Sequence, residues 1–167
     1  FRRFGRNCSV RLGAANGAVD AGFSTAAFKI FADPGSIAGV AQQADGKLLL
    51  GGFFHSLGAD TTQGVVRLNT NGTRDGTFDT SVAVGIGLPA CFAIRSADNK
   101  IFVGGNFSSY NGVNRNNITL VNPDGSLDTV FAPSGVAAEY PDISAIAVQG
   151  DGKVLVGGFF TSVNGEP

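Results

Sequence analysis

Residues 45–54, with the sequence DGKLLLGGFF, decide how this 167-residue chain is organised. The decapeptide returns as DNKIFVGGNF at residues 98–107 and as DGKVLVGGFF at residues 151–160. The copies begin at residues 45, 98 and 151, so the period is 53 residues in both intervals. A fixed period of this length is typical of repeat architectures. The sequence therefore predicts one structural unit that is used several times.

The amino-acid composition is that of a folded chain. Hydrophobic residues make up 43% of it and charged residues 15%, which excludes the class of weakly hydrophobic, highly charged disordered segments. The formal net charge is −1, so we expect no nucleic-acid partner. No apolar run approaches the ~20 residues of a membrane helix, and we expect no membrane insertion.

Each decapeptide predicts a tight turn followed by a strand. Asp-Gly is a strong hairpin signal because glycine accepts positive φ. The residues that follow, 48–54, are apolar on both faces, which indicates a strand that is covered on both sides. Two adjacent glycines, Gly51 and Gly52, allow a neighbouring sheet or backbone to come close.

The alignment of the copies predicts four antiparallel strands in each unit. In the first complete copy these are residues 37–42, 48–54 and 65–69, and then a short strand that ends at Phe78. Residues 55–62 are expected to form a loop. Four antiparallel strands in each period describe the blade of a β-propeller. A solenoid is the alternative.

The predicted architecture is all-β and β-propeller-like, with about three units that belong to a larger ring or to an oligomer. Three blades are fewer than the usual four to eight, so a closed monomer is not expected. The chain begins with Phe1 rather than Met, which suggests a piece of a longer protein. We assign residues 1–36 to the outer strands of a partial repeat plus a connecting loop, 37–89 to repeat 1, 90–142 to repeat 2, and 143–167 to the inner strands of an incomplete repeat 3.

The repeated residues also resemble a known family. The DGK turn, the aliphatic strand with two glycines, a strand ending in RLN or LVN, and then N-x-(N/D)-G-x-x-D-x-x-F recur in register. This pattern covers most of residues 6–167 and is similar to the delta-60 repeat, a family of bacterial β-propeller-type repeats. The resemblance implies a large secreted or cell-surface protein, and hence an extracellular or cell-surface location. It implies no defined catalytic activity.

The turn after the third strand carries candidate metal ligands. Oxygen donors alternate ahead of a glycine there, as they do in calcium loops, although the bidentate glutamate of such loops is missing. A turn capped by Asp and Asn side chains explains the same residues. Calcium is the one cofactor that the sequence suggests. The candidate ligands are Asn69, Asn71, Asp75, Asn122, Asp124 and Asp128.

No catalytic constellation stands out, and we expect that the chain is not an enzyme. His55 is the only histidine, so neither a second histidine ligand nor a conventional triad partner is present. The aspartate that opens each decapeptide fits a turn, because a catalytic group would not recur in every repeat. Cys8 and Cys91, the only cysteines, form either one disulfide or two free thiols.

Segments that differ between the copies are the candidate binding surface, since repeat proteins place specificity in variable loops on a rigid frame. Within residues 108–116, the candidate contacts are Tyr110, Asn111, Asn114 and Arg115. An aromatic ring beside amides and a guanidinium group suits a sugar or a protein partner. The other variable segments are residues 24–36, 55–62, 79–89, 132–142 and 161–167.

These features predict a non-enzymatic scaffold and binding module of a secreted or surface-attached bacterial protein. We expect its partner to be a protein, a glycan or further copies of itself, so that a homo-oligomer is one outcome. The alternative is a non-catalytic or channel-contributing part of a larger propeller enzyme.

Overall fold

The computed structural model describes residues 11–12, 17–24, 28–30, 33–79, 87–139 and 141–167. In this part of the chain all regular elements are strands, and no helix is long and apolar enough to cross a membrane. The strands are β1 (Phe28–Ile30), β2 (Asp33–Pro34), β3 (Ser36–Gln42), β4 (Leu48–Phe53), β5 (Ser56–Leu57), β6 (Asp60–Thr61), β7 (Val65–Leu68), β8 (Gly87–Arg95), β9 (Lys100–Phe107), β10 (Ser109–Tyr110), β11 (Val113–Asn114), β12 (Ile118–Val121), β13 (Val136–Ala137), β14 (Asp142–Val148), β15 (Val154–Phe159) and β16 (Ser162–Val163).

Two units contain the same three-stranded antiparallel sheet. The strand order is β3–β4–β7 in unit 1 and β8–β9–β12 in unit 2. The register in unit 1 places Val40 opposite Leu50, and Leu50 opposite Val66. In unit 3, the first strand β14 pairs with the middle strand β15. The predicted all-β fold of repeated antiparallel units is therefore confirmed.

The fourth strand of each complete unit is shorter than the sequence predicts. It is reduced to one isolated bridge, because hydrogen bonds to the aspartate that follows the bridge turn the chain. The Phe78 N–H donates to the Asp75 carbonyl oxygen (3.3 Å) in unit 1, and the Phe131 N–H donates to Asp128 Oδ1 (3.0 Å) in unit 2. Each complete unit thus has three regular strands rather than four. The bridges join Leu68 to Arg74 in unit 1 and Val121 to Leu127 in unit 2.

The segment after each middle strand, expected to be a loop, is a short hairpin. β5 pairs with β6, and β10 pairs with β11. The turn of the second hairpin consists of Asn111 and Gly112, with φ of 47° and 74°, as a type I′ hairpin turn requires. In unit 3 a bridge joins Val163 to Glu166. We refer to β5–β6, β10–β11 and residues 162–166 as the outer hairpins.

The connections between units lengthen two of the outer hairpins. β1 pairs with β2 and with β5, and β13 pairs with β16. These connections are among the variable segments, in which the sequence alone predicts no strands. For unit 2 the corresponding residues 80–86 lie outside the described part of the chain.

The sheets of successive units stack face to face, and the first glycine of the pair in units 1 and 2 lies in the contact. A Cβ added at Gly51 would lie 2.6 Å from the Phe92 ring and 2.8 Å from the Pro89 carbonyl oxygen of unit 2. One added at Gly104 would lie 2.6 Å from Cδ1 of Ile146 in unit 3. These separations are shorter than a carbon van der Waals contact. Only glycine therefore allows the sheets to stack this closely.

The second glycine of each pair serves its own sheet. This glycine lies at a β-bulge, where the register between the first and middle strands shifts by one residue. A Cβ added to it would collide with the backbone of the first strand. The Gly-Gly pair therefore sets both the bulge within a unit and the distance between units. The three second glycines are Gly52, Gly105 and Gly158.

Burial of the middle strands follows from this stacking. Leu49 is completely buried, whereas Leu155, at the same position of unit 3, is 57% exposed. Apolar clusters fill the joint between units 1 and 2 and the joint between units 2 and 3. A third cluster forms where Phe23 packs against unit 1. The predicted double coverage thus holds for β9 and fails for β15, whose outward face has no neighbour in the described part.

Replacing Gly51 by alanine is expected to lower the free energy of unfolding by about 1–3 kcal/mol, the usual cost of overpacking a core. The control is Gly76→Ala, because nothing lies within 4 Å of its Cβ position. We expect that control to change stability by less than ~0.5 kcal/mol. Urea unfolding followed by circular dichroism measures both variants, and equal stabilities would contradict the stacking.

Candidate functional site

The candidate calcium ligands of unit 1 lie in the turn that follows β7. Asn71 Oδ1 accepts hydrogen bonds from the Thr73 backbone N–H (3.1 Å) and from the Thr73 hydroxyl (2.8 Å). Asn69 Nδ2 donates to the Thr73 hydroxyl oxygen (3.0 Å) and to the Arg74 carbonyl oxygen (3.3 Å). The two asparagines therefore bind the turn itself, as asparagine commonly does.

The turn after β12 repeats this network. Asp124 Oδ1 accepts hydrogen bonds from the Ser126 N–H (3.0 Å) and hydroxyl (2.7 Å), and both hydrogen bonds lower the pKa of the Asp124 carboxyl. Asn122 Nδ2 donates to the Ser126 hydroxyl oxygen (3.0 Å). Because both copies make the same bonds, these residues are requirements of the turn.

In units 1 and 2, the lysine of the decapeptide reaches the aspartate that ends this turn. Lys47 Nζ lies 2.9 Å from Asp75 Oδ2, and Lys100 Nζ lies 2.6 Å from Asp128 Oδ2. Both carboxylates are buried. We term this pair the Lys–Asp latch, since it joins the beginning of the middle strand to the end of the turn.

Hydrogen bonds keep both latch carboxylates ionised. Burial would raise the pKa of Asp75, but hydrogen bonds from Thr77, the latch lysine and an arginine hold that pKa well below its usual value. At Asp128, the hydrogen bond from the latch lysine, assisted by the Phe131 N–H, lowers the pKa to about 2. Each latch is therefore a charge-assisted bond at neutral pH.

The donor set of these turns favours a structural role over an ion site. Each latch carboxylate already faces a lysine, and the oxygens of Asn71 and Asp124 each accept two hydrogen bonds. Among the residues that the structure describes, no three His, Cys, Asp or Glu side chains are grouped as metal ligands. The contacts of the six candidate calcium ligands within the described chain belong to the turn and the latch, and calcium binding stays a prediction.

Arg67 connects the latch of unit 1 to the next unit. Its Nε donates to Asp75 Oδ2 (2.8 Å), and its Nη1 donates to the Pro123 carbonyl oxygen of unit 2 (2.5 Å). Its guanidinium group lies 4.6 Å from the centroid of the Phe78 ring. The same arrangement occurs one unit earlier, where Arg11 contacts Asp20, Phe23 and the Thr70 carbonyl oxygen.

The repeated turn, middle strand and latch are matched by the model of a protein family described as "Domain of unknown function (DUF5122) beta-propeller". The matches cover residues 43–78, 96–131 and 149–167. The chain belongs to this family. The three matched segments of the DUF5122 chain fall in units 1, 2 and 3. Comparisons with curated proteins and with solved structures gave no match.

Tyr110 of the DUF5122 chain is a core residue rather than a surface contact. Its side chain is completely buried in the cluster between units 1 and 2, and its hydroxyl donates to the Gly125 carbonyl oxygen (3.2 Å). This burial raises the pKa of its hydroxyl. The prediction that its ring contacts a ligand is therefore corrected. On β10, Tyr110 faces the joint between units.

The other three candidate contacts lie on the outer hairpin of unit 2. Asn114 is exposed, and Asn111 and Arg115 are half-buried. Arg115 Nη1 donates to the Asn114 carbonyl oxygen (2.9 Å). Asn111 Oδ1 and Arg115 Nε have no hydrogen-bond partner within the described chain. Both atoms are buried, so they do not face a ligand in this structure, and the three residues stay a prediction.

The sequence contained a signal for the outer hairpins that the loop interpretation missed. Asn-Gly is the preferred dipeptide of two-residue hairpin turns, and it occurs at residues 111–112 and 164–165. Asn164 also has positive φ (53°), and its Oδ1 accepts a hydrogen bond from the Ser134 N–H (3.0 Å). The third hairpin is thereby tied to the connection that precedes its unit.

The remaining reactive side chains lie away from the hairpin turns. Cys91 is a free, half-buried thiol that donates to the Ile143 carbonyl oxygen (3.2 Å). Burial raises its pKa to about 11, so the thiol is protonated at neutral pH. Cys8 lies outside the described residues. The His55 ring packs edge-on against Phe53, with centroids 5.8 Å apart.

The latch predicts a loss of stability in acid. The pKa of Asp128 is lowered from 3.8 to about 2 in the folded chain. The stability that the ionised Asp128 contributes is therefore fully present above the pKa of the unfolded chain. It is lost as the pH falls through the pKa of the folded chain. The shift corresponds to about 2 kcal/mol. Urea unfolding at pH values from about 6 to about 2, a range that spans the two pKa values, should show this loss of stability. Asp128→Asn should flatten the profile, and an unchanged profile in that variant would contradict the assignment.

Proposed function

We propose that this DUF5122 chain is a non-enzymatic scaffold and binding module, a delta-60-type repeat segment of a secreted or cell-surface bacterial protein. The observation that carries the proposal is the contrast between the repeated frame and the outer hairpins. The stacking glycine recurs in all three units, and the latch forms in both complete units, whereas the outer hairpins differ in sequence. A rigid frame with variable loops is the usual basis of binding by repeat proteins.

The outer hairpins offer different chemistry along one edge of the stacked sheets. Unit 1 has an exposed carboxylate, Asp60, and unit 2 has the amide of Asn114 beside the guanidinium of Arg115. Unit 3 has the exposed amide of Asn164 and the carboxylate of Glu166. A partner that spans neighbouring hairpins would meet these groups in a set order, which supports a specific partner.

The hairpin of unit 2 supports a glycan or a polar protein surface as that partner. The exposed amide of Asn114 and the half-buried guanidinium of Arg115 are groups that can bond to sugar hydroxyls or to carboxylates. Val113, the exposed residue that precedes them, adds an apolar contact. Further copies of the chain are the other class of partner, and they fit the sheet faces better than the hairpins.

The titratable groups with the most strongly lowered pKa values support a non-enzymatic role. Such groups mark active sites in many proteins, but ion pairs within a structural frame shift pKa values as well. Asp75 and Asp128 are both accounted for by the latch. The Cys91 thiol is protonated at neutral pH, and the chain has no second histidine to work with His55.

A glycan array and a binding titration test the proposal. The 167-residue chain is applied to the array, and its strongest ligand is titrated against the double variant Asn114→Ala, Arg115→Ala. We expect a loss of affinity of about tenfold or more, or ~1.4 kcal/mol, with an unchanged urea midpoint. The matched control is Gln149→Ala, an exposed residue in the turn before β15, which should bind normally. Full binding by the double variant would contradict the proposal.

A further inference from the structure

The outward face of unit 3 is exposed, although the same face is covered in units 1 and 2. Leu155 and Phe159 are exposed there. At Gly157, between them, an added Cβ would meet only the Ala145 Cβ, at 4.0 Å. At the same repeat position, Gly51 and Gly104 lie against the first strand of the following unit. The repeat itself therefore indicates what fits this face, which is the first strand of another unit.

The opposite face of unit 1 offers such a strand. Val40 on β3 is 61% exposed. Its equivalent two periods later is Ile146, the residue that covers Gly104 in the joint between units 2 and 3. Val40 thus has the position of a residue that covers the stacking glycine of a preceding unit. The exposed face of unit 1 and the exposed face of unit 3 therefore correspond to the two sides of one joint between units.

Residues 11–12 and 17–24 have the features of the outer part of a unit. Leu12 forms a bridge with Val19, at the repeat positions of the bridge that follows β7. Phe23 packs against unit 1, as Phe78 packs in the joint between units 1 and 2. Conversely, the β14–β15 sheet has two strands in the described chain, whereas β4 and β9 each pair with a third strand. The described residues near Phe23 therefore have the features that would complete the β14–β15 sheet.

The charges of the two ends are complementary in the same way. Lys153 is the latch lysine of unit 3, but its side chain is 78% exposed and contacts only the neighbouring Asp151 (2.9 Å). Asp20 has the position of the latch aspartate. It binds Arg11, as Asp75 binds Arg67, and no lysine contacts it in the described residues. One end thus has the latch lysine and the other has the latch aspartate.

We propose that two copies of the chain join head to tail, with β14–β15 of one copy completing a unit with residues 11–12 and 17–24 of the second. Lys153 of one copy forms the latch with Asp20 of the second, and Gly157 stacks against Val40. Each copy contributes units 1 and 2, and two shared units complete a ring of six, within the usual range of about four to eight. A head-to-tail interface that closes leaves no free face.

This association uses the sheet faces and leaves the outer hairpins free. Its failure would therefore leave glycan or protein binding by the hairpins untouched, and the failure of hairpin binding would leave the association untouched.

Gly157→Val tests the joint without disturbing the unit that carries it, because its Cβ position is open in the single chain. Light scattering after size exclusion should give twice the 17.0 kDa mass for the unmodified chain and 17.0 kDa for Gly157→Val. The urea midpoint of Gly157→Val should equal that of the unmodified chain diluted until it is monomeric. The control Gly76→Ala should remain a dimer. A monomeric unmodified chain at all concentrations, or a dimeric Gly157→Val, would overturn the proposal.

A mixing experiment tests the head-to-tail geometry. Val40→Glu blocks the face of unit 1, and Gly157→Val blocks the face of unit 3. We expect each variant alone to be monomeric and their equimolar mixture to form a dimer, because one intact face of each kind remains. A mixture that stays monomeric, or a Val40→Glu chain that dimerises alone, would overturn the geometry.

The charge pair is tested separately. Lys153→Glu should weaken dimerisation at least tenfold, and the effect should shrink with added salt. Asp151→Asn frees Lys153 from its neighbour, so this control should dimerise as well as the unmodified chain or better. Equal dimerisation of the Lys153→Glu and Asp151→Asn chains would overturn the assignment of Lys153 to the joint.

Discussion

The close stacking of each sheet on the next, with a glycine at the contact, is the constraint on which the rest of the structure depends. Gly51 and Gly104 leave room for the first strand of the following unit, and the apolar side chains around them are buried by that neighbour. A unit therefore gains most of its core from the units beside it, as repeat proteins do. The exposed Leu155 shows the same surface without its neighbour.

Charged contacts complement this apolar stacking. The Lys–Asp latch closes each complete unit on itself, and Arg67 extends from the latch of unit 1 to the backbone of unit 2. Each outer hairpin also packs one residue in the apolar clusters, namely Leu57, Tyr110 or Val163, and the Tyr110 hydroxyl binds Gly125. The exposed residues of the hairpins are free to differ between units, and this is why we place binding there and not in the repeated decapeptide.

The period of the sequence predicted the fold well, because the strands, turns and stacking glycines all repeat in register. The latch was missed, since Lys47 and Asp75 lie 28 residues apart and no local pattern joins them. Their joint recurrence as Lys100 and Asp128 was the available signal. The exposure of Tyr110 was predicted wrongly because its burial depends on the neighbouring unit. The fourth strand was shortened by hydrogen bonds within the turn, which periodicity does not reveal.

Amide hydrogen exchange on the Val40→Glu chain tests most directly whether neighbouring units protect the middle strands. This variant keeps all three decapeptides and blocks association between copies. The amides of β9 and β15 that pair with their own first strands can then be compared between two copies of the same repeated segment. We predict exchange at least about tenfold faster in β15, because exchange follows the local opening free energy and only β9 is covered on both faces. Equal protection of β9 and β15 would contradict the account.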